Sequence, residues 1–446
     1  MFLAALVLMN PPALQYSETY RPQFHFTAPK GWLNDPNGLV YYRGKYHLFY
    51  QHNPFGTEWG NMTWGHATSA DLIHWQNLPN ALAPDQLGTV FSGSAVVDWK
   101  NTCGLGTESD PPMVMLYTAA GGTNEESKGK RFSQCLAYTT DGETFHKLPA
   151  NPVLPHIEGE NRDPKVVWHE PTKSWIMALY LDGDRFGIFR SSDLRKWTPA
   201  GNVTIPGSSE CPDLFEIPVD GESKVKKWVL SSASGRYLVG SFDGYEFKPE
   251  QEALPGAFGP NDYAAQTFSD EPKGRRIQIS WMRGGKYPDM PFNQQMSVPR
   301  ELHLIRSNNK LRLAALPVRE LQLLRTNKVA FTRAESTAFG QPRSNLLEIR
   351  AKVSTNSPSK IRVGRLELRC EPGKLIVGNL GSVDYLSDRS DIDLTLYIDR
   401  TSIEVFMDRG LVQFAACYLP TEAAPEIVVT GAKELTAWEL KSAWTK

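Results

Sequence analysis

A short motif repeated along the first part of the chain constrains the fold more than any other sequence feature. It consists of Ser or Thr, one further residue, an aspartate, and an aromatic ring four positions beyond that aspartate. It occurs as Asp71 with Trp75, Asp141 with Phe145, Asp193 with Trp197, and Asp243 with Phe247, each followed by proline at Pro79, Pro149, Pro199 and Pro249. An aspartate in this setting closes a turn by accepting hydrogen bonds from backbone N–H groups just ahead of it, and the later proline suits a strand edge. The Asp-to-Asp steps of about 70, 50 and 50 residues fit four-stranded units with insertions, as in a β-propeller. Between the marks lie strand-like runs. Residues 38–42 and 46–50, joined by Arg43-Gly44-Lys45, read as a hairpin, and 165–168, 174–180 and 228–232 read as further strands.

No long helical period interrupts this region, and aromatics at 11% with 35 Gly and 32 Pro suit many short strands joined by tight turns. The fold class expected is all-β. A chain of 446 residues exceeds one ordinary core, and the motif stops near residues 316–321. A boundary there predicts a first domain over 20–316 and a second over 317–446. In the second, alternating runs at 346–350, 366–369, 392–397 and 402–406 suit a β-sandwich.

With 48 basic against 49 acidic residues, no net field draws the molecule to nucleic acid or an anionic membrane, so a neutral ligand fits best. Cys103, Cys135, Cys211, Cys370 and Cys417 form no CxxC pair and are odd in number, which predicts neither a disulfide framework nor a metal site. No glycine-rich loop leads from a strand into a helix, so no nucleotide cofactor is expected. The apolar residues 2–9 are too short to span a bilayer; they read either as the core of a signal peptide or as a segment packing on the body of the protein.

Three acids stand at turns on different repeats. Asp35 lies in Trp32-Leu33-Asn34-Asp35-Pro36-Asn37-Gly38, where proline biases it toward extended backbone and Asn-Gly turns the chain. Asp163 lies in Asn161-Arg162-Asp163-Pro164, just ahead of a strand. Glu210 opens Glu210-Cys211-Pro212-Asp213-Leu214-Phe215, and as a proton donor near neutral pH it would need its pKa raised by burial or a second carboxylate. Each segment alone also makes a plain turn. Together, three acids at strand ends on separate repeats are what a propeller can bring to its central axis.

In this order, the segments WLNDPNG, RDP and ECPDLFEI resemble the signature set of glycoside hydrolase family 32, which includes invertases, inulinases and levanases. Residues 49–54, 59–66, 91–94, 262–264 and 279–282 are similar to that family's sugar-pocket segments, and 403–410 resembles its C-terminal part. The resemblance implies a five-bladed β-propeller followed by a C-terminal β-sandwich. Since only four marks are visible, the fifth blade is expected after Phe258, closed by a strand from the N-terminal part.

The resemblance also assigns Asp35 as nucleophile, Glu210 as general acid/base and Asp163, beside Arg162, as stabiliser of the transition state. Asn34, Gln51 and Ser92 offer hydrogen bonds to hydroxyls, and Trp59, Trp281 and Tyr263 offer flat faces to a sugar ring, whereas Trp64 reads as core. The implied activity is a retaining, exo-acting β-fructosidase that removes terminal β-D-fructofuranosyl units from inulin, levan and sucrose without metal or cofactor, in a secreted or periplasmic protein. A fructosyltransferase, or an invertase acting mainly on sucrose, would use the same residues. A catalytically silent sugar-binding propeller would lack one acid, and all three are present.

Overall fold

The computed structural model describes residues 16–419 and 425–444, so the apolar run at 2–9 lies outside the described residues. It is almost entirely β-structure, and among the described residues no helix is long and apolar enough to cross a membrane. One sheet contains Gly31–Tyr42, Lys45–Asn53, Thr63–Ser69 and Trp75–Leu82; the next contains Thr89–Val97, Met113–Ala120, Ser133–Thr139 and His146–Lys147. A third contains Arg162–His169, Ser174–Asp182, Arg185–Ser191 and Thr198–Thr204. A larger sheet joins Asp213–Val219, Glu222–Ser231, Arg236–Phe242 and Phe247–Pro249 to a second group, through the parallel pairing of Val219 with Leu304. That group comprises Tyr263–Thr267, Ile277–Trp281, Arg300–Ser307 and Lys310–Pro317.

The repeated aspartates all occupy one structural position, the turn between the third and outermost strands of a unit. Asp71 Oδ1 accepts from the N–H groups of Ile73 and His74 at 3.0 and 2.8 Å, and Asp193 Oδ1 accepts from Arg195 and Lys196 at 2.9 Å each. Asp141 does the same with Glu143 and Thr144, and Asp243 with Tyr245 and Glu246, all at 2.8 Å. The group beginning at Tyr263 lacks the mark because its Arg300–Ser307 strand turns through Asn308-Asn309, both with positive φ (50° and 58°), straight into Lys310–Pro317. That is the backbone of a tight hairpin, in which asparagine is favoured.

Apolar side chains fill the spaces between successive groups of strands. Val40, Phe49 and Trp64 pack against Ala95, Met115 and Ala137. Val96, Val114 and Leu136 pack against Val166, Met177 and Phe189. The series continues with Ile176 and Ile188 against Leu214 and Leu230, then Phe215 and Val229 against Leu302 and Leu304. It returns to the start with Ile277 and Ile279 beside Leu33 and Leu48. Burying side chains of this size contributes roughly 1.5–3 kcal/mol each, so the ring of contacts holds the innermost strands of all groups around one axis.

The C-terminal part forms a six-stranded and a seven-stranded sheet that share one apolar cluster. Alternate residues of one strand, Leu347, Ile349, Ala351 and Val353, face that cluster with Ile361, Val363, Leu375 and Val377 of the other sheet, the period of two expected of a strand with one buried face.

An ion pair network fastens the two parts together. His25 is fully buried, with Nδ1 at 2.8 Å from Asp399 and Nε2 at 2.9 Å from Glu404. Asp399 also accepts from the backbone N–H of Gln23, Phe24 and His25, and Glu404 from that of Val298. Burial alone would lower the His25 pKa, but the two carboxylates outweigh it and raise it from 6.5 to about 9. A raised pKa contributes stability that is complete below pH 6.5 and is lost as pH climbs through about 9. The span corresponds to on the order of 3 kcal/mol. Thermal melting measured across that window is expected to show a falling Tm for the native chain and no such slope for His25→Asn; a flat native curve would mean that the histidine is not charged in the folded protein.

Candidate active site

The innermost strands carry a recurrent irregularity at the end that faces the site. Between Leu33 and Pro36, the Gly31–Tyr42 strand has one residue more than its partner; the same excess occurs between Val90 and Gly93, between Arg162 and Lys165, and between Tyr263 and Gln266. These are β-bulges, which bend a strand and redirect a side chain. The residues within or beside them include Asn34, Asp35, Phe91, Ser92, Arg162, Asp163 and Tyr263. In the remaining unit the equivalent place is taken by Glu210-Cys211, immediately before the Asp213–Val219 strand. Asp163, Glu210 and Cys211 have left-handed backbones with φ of 64°, 59° and 42°. Such conformations cost about 1–3 kcal/mol each for residues with a Cβ and are held only where the surroundings enforce them.

These elements meet in one cavity of about 500 Å³ lined by Asn34, Asp35, Gln51, Trp59, Ser92, Arg162, Asp163, Glu210, Tyr263 and Trp281. All ten residues expected at a site from the sequence are therefore brought together. Trp64 is fully buried and packs with Phe49 and Tyr117, a core residue as expected. Trp59 is 56% exposed and meets Phe91 edge-on, forming part of the rim. Trp281 lies edge-on to both Tyr263 and Trp32.

Ser92 Oγ donates to Asp35 Oδ2 at 2.7 Å, and the Cys211 backbone N–H donates to Asp163 Oδ2 at 3.0 Å. The Cys211 thiol lies 3.6 Å from Asp35 Oδ2 and 3.5 Å from Asp163 Oδ2, between the two aspartates. Arg162 donates to Glu210 Oε1 at 2.6 Å, lies 3.9 Å from Asp163, and sits over the Tyr180 ring. The Tyr263 hydroxyl donates to the other Glu210 oxygen, Oε2.

The charge states differ from the sequence expectation. Burial raises the Asp35 pKa, and the neighbouring Glu210 adds to the rise against the hydrogen bond from Ser92. Burial likewise carries Asp163 to about 7, with Arg162 opposing and Asp35 reinforcing. Glu210, expected to be raised, is instead lowered: burial favours the neutral acid, but the hydrogen bonds from Tyr263 and Arg162, together with the Arg162 charge, outweigh it. Burial thus favours the neutral form of both aspartates, whereas the partners of Glu210 favour its ionised form.

Phe91, which the sequence places in a pocket segment without a role of its own, and Arg283, which the sequence reading missed, also line the cavity. The Arg283 guanidinium lies 4.6 Å from the Tyr263 ring centre and 6.0 Å from that of Trp281. Its signal was its position, two residues after Trp281 and one beyond the pocket segment 279–282. Cys211, given no role by the sequence, contacts both aspartates through its thiol and Asp163 also through its backbone N–H. Because Tyr263 stabilises ionised Glu210, Tyr263→Phe is expected to raise the Glu210 pKa. Infrared titration of the carboxylate band, with Glu210→Gln as the blank, should find that band appearing at higher pH in the variant than in the native chain.

Comparison with known proteins agrees with this architecture. The Glycosyl hydrolases family 32 N-terminal domain matches residues 25–315. A levanase of Bacillus subtilis is 37% identical, the alignment covering 96% of this chain and 72% of that protein. An extracellular exo-inulinase of Aspergillus niger is 32% identical over 94% of this chain and 93% of the relative. Among solved structures, an exo-inulinase from Aspergillus awamori superposes with a TM-score of 0.86 at 27% identity, covering 96% of this chain and all of the other. A fructofuranosidase from Schwanniomyces occidentalis complexed with fructose gives 0.82 at 26% identity, covering 96% of this chain and 100% of that one. With the family model spanning the site and the relatives spanning nearly the whole chain, the chain belongs to glycosyl hydrolase family 32.

Proposed function

We propose that this chain is a retaining, exo-acting β-fructosidase that releases terminal β-D-fructofuranosyl units from fructans such as levan and inulin, and from sucrose. The observation that carries the reading is the meeting of Asp35, Asp163 and Glu210 in one aromatic-rimmed cavity. Relatives named levanase and exo-inulinase support fructan as the substrate. The relative described as extracellular supports action outside the cell. The returning series of apolar clusters supports a five-bladed propeller over residues 20–316, and the shared cluster of two sheets supports a β-sandwich over 317–446.

In this mechanism the Asp35 carboxylate attacks the anomeric carbon while Glu210 protonates the oxygen of the breaking glycosidic bond. Water, losing its proton to Glu210, then attacks the fructosyl-enzyme and frees Asp35, so the configuration is retained. Burial favours the protonated form of both aspartates, while Tyr263 and Arg162 favour ionised Glu210. Attack needs Asp35 as its anion, and protonation of the leaving oxygen needs Glu210 as its acid. Sugar hydroxyls donating to Asp35 and Asp163 favour their anions, and the bound ring shields Glu210 from water and favours its acid form. Arg162 and Asp163 grip hydroxyls as the ring flattens, an interaction that strengthens toward the transition state.

Asp35→Ala and Glu210→Ala are each expected to lower turnover by roughly 10³-fold or more while melting like the native chain. Near-normal activity in either variant would overturn the assignment. Product analysis with sucrose, inulin and levan should yield free fructose, with the β-anomer first by NMR; oligosaccharides longer than the substrate would instead identify a transferase.

A further inference from the structure

A second cavity, of about 830 Å³, lies away from the three acids. It is lined by residues further along the same innermost strands: Val97 against Ser92, Trp168 against Asp163, and Glu216 against Glu210. At about 3.3 Å per residue, these offsets of five or six residues separate the two cavities by roughly 16–20 Å along the axis. A polar layer closes the space between them. Lys165 Nζ lies 2.9 Å from both Asp213 Oδ1 and the Thr267 carbonyl oxygen, and Asp213 accepts from the Thr267 N–H at 2.8 Å. All three residues are buried, so the second cavity opens on the opposite end of the propeller-like body.

Its lining joins aromatic faces to hydrogen-bonding groups. Trp99 is 58% exposed, with its indole N–H fixed on Asp270 at 2.8 Å. Trp168 is partly buried and held edge-on by Trp175, and Trp228 stands beside Phe242. The charges are largely mutually compensated: Glu216 pairs with Lys226 at 2.8 Å, and Lys100 lies over Trp168 and 3.9 Å from Glu170. Among the described residues no carboxylate lies within ion-pair distance of Arg276, whose NH groups reach the backbone carbonyls of Phe268 and Glu216 at 3.5 and 3.3 Å, with Nε left unpartnered. Asp98, with no exposed surface, likewise has Oδ1 unpartnered.

We propose that this cavity is a second, non-catalytic carbohydrate site that takes a segment of fructan chain. Fixed indole faces suit the C–H surfaces of sugar rings, the balanced charges select neither an anion nor a cation, and the volume lies within the range of small-ligand sites. The choice of fructan rests on the catalytic reading above. The site would keep the enzyme on a polymer while chain ends are attacked at the other mouth.

Native gel electrophoresis through levan, with dextran as the control polymer, tests this in an Asp35→Ala background that leaves the levan intact. Levan should retard the protein and dextran should not. Adding Trp99→Ala, an exposed position whose loss spares the core, should weaken levan affinity about tenfold, and Trp168→Ala should do the same. In the active protein Trp99→Ala should raise KM for levan and leave sucrose hydrolysis unchanged. Equal retardation with and without the two tryptophans, equal retardation by dextran, or none by levan would overturn the proposal. Retardation through Trp99 in a native chain that hydrolyses neither sucrose nor fructan would instead overturn the catalytic reading and leave the second site standing.

Discussion

Carboxyl groups confined to one desolvated space repel each other, and this chain is organised around holding Asp35, Asp163 and Glu210 against that repulsion. Glu210 raises the cost of ionising Asp35, and both Asp35 and Glu210 raise that of ionising Asp163. Arg162 offsets part of this, lying within ion-pair distance of two of the acids. Cys211 adds an uncharged donor between the aspartates. The positive-φ backbones at Asp163, Glu210 and Cys211 are unfavourable locally, and such conformations persist where surrounding structure fixes them. The apolar clusters between neighbouring sheets supply that fixing.

The scaffold was legible where its cause is local. An aspartate that closes a turn on its own backbone leaves the same mark wherever the turn recurs, and four units were found that way. The group from Tyr263 onward was invisible to the same search because Asn308-Asn309 makes its hairpin by a different chemistry. All the acids were legible because each stands in a segment whose neighbours set its turn. Their charge states were not. Whether Glu210 ionises early depends on Tyr263 and Arg162, which are 53 and 48 residues away in sequence, and burial that could have raised its pKa is outweighed only once those partners arrive. The second cavity had no sequence signature either, since it is assembled from the far ends of strands that were read for their near ends.

The clamp between the two parts is of the same kind. His25 stands 374 residues from Asp399 and 379 from Glu404, so neither the burial nor the charge of that histidine could be read from its surroundings in the chain. Removing one member of such a buried set leaves an uncompensated charge, commonly a loss of about 3–5 kcal/mol. The N-terminal segment is therefore held by the last third of the chain.

The layer of Lys165, Asp213 and Thr267 gives the catalytic cavity a floor. A polymer can present only its end to a blind hole, and on the proposed reading the fructose cut from that end lies beneath the remainder of the chain. The shortened polymer has to withdraw before the monosaccharide can leave by the shared entrance. Sliding forward by one unit without withdrawing the end from the catalytic cavity is then ruled out by geometry, and each entry of a chain end shortens it by a single sugar.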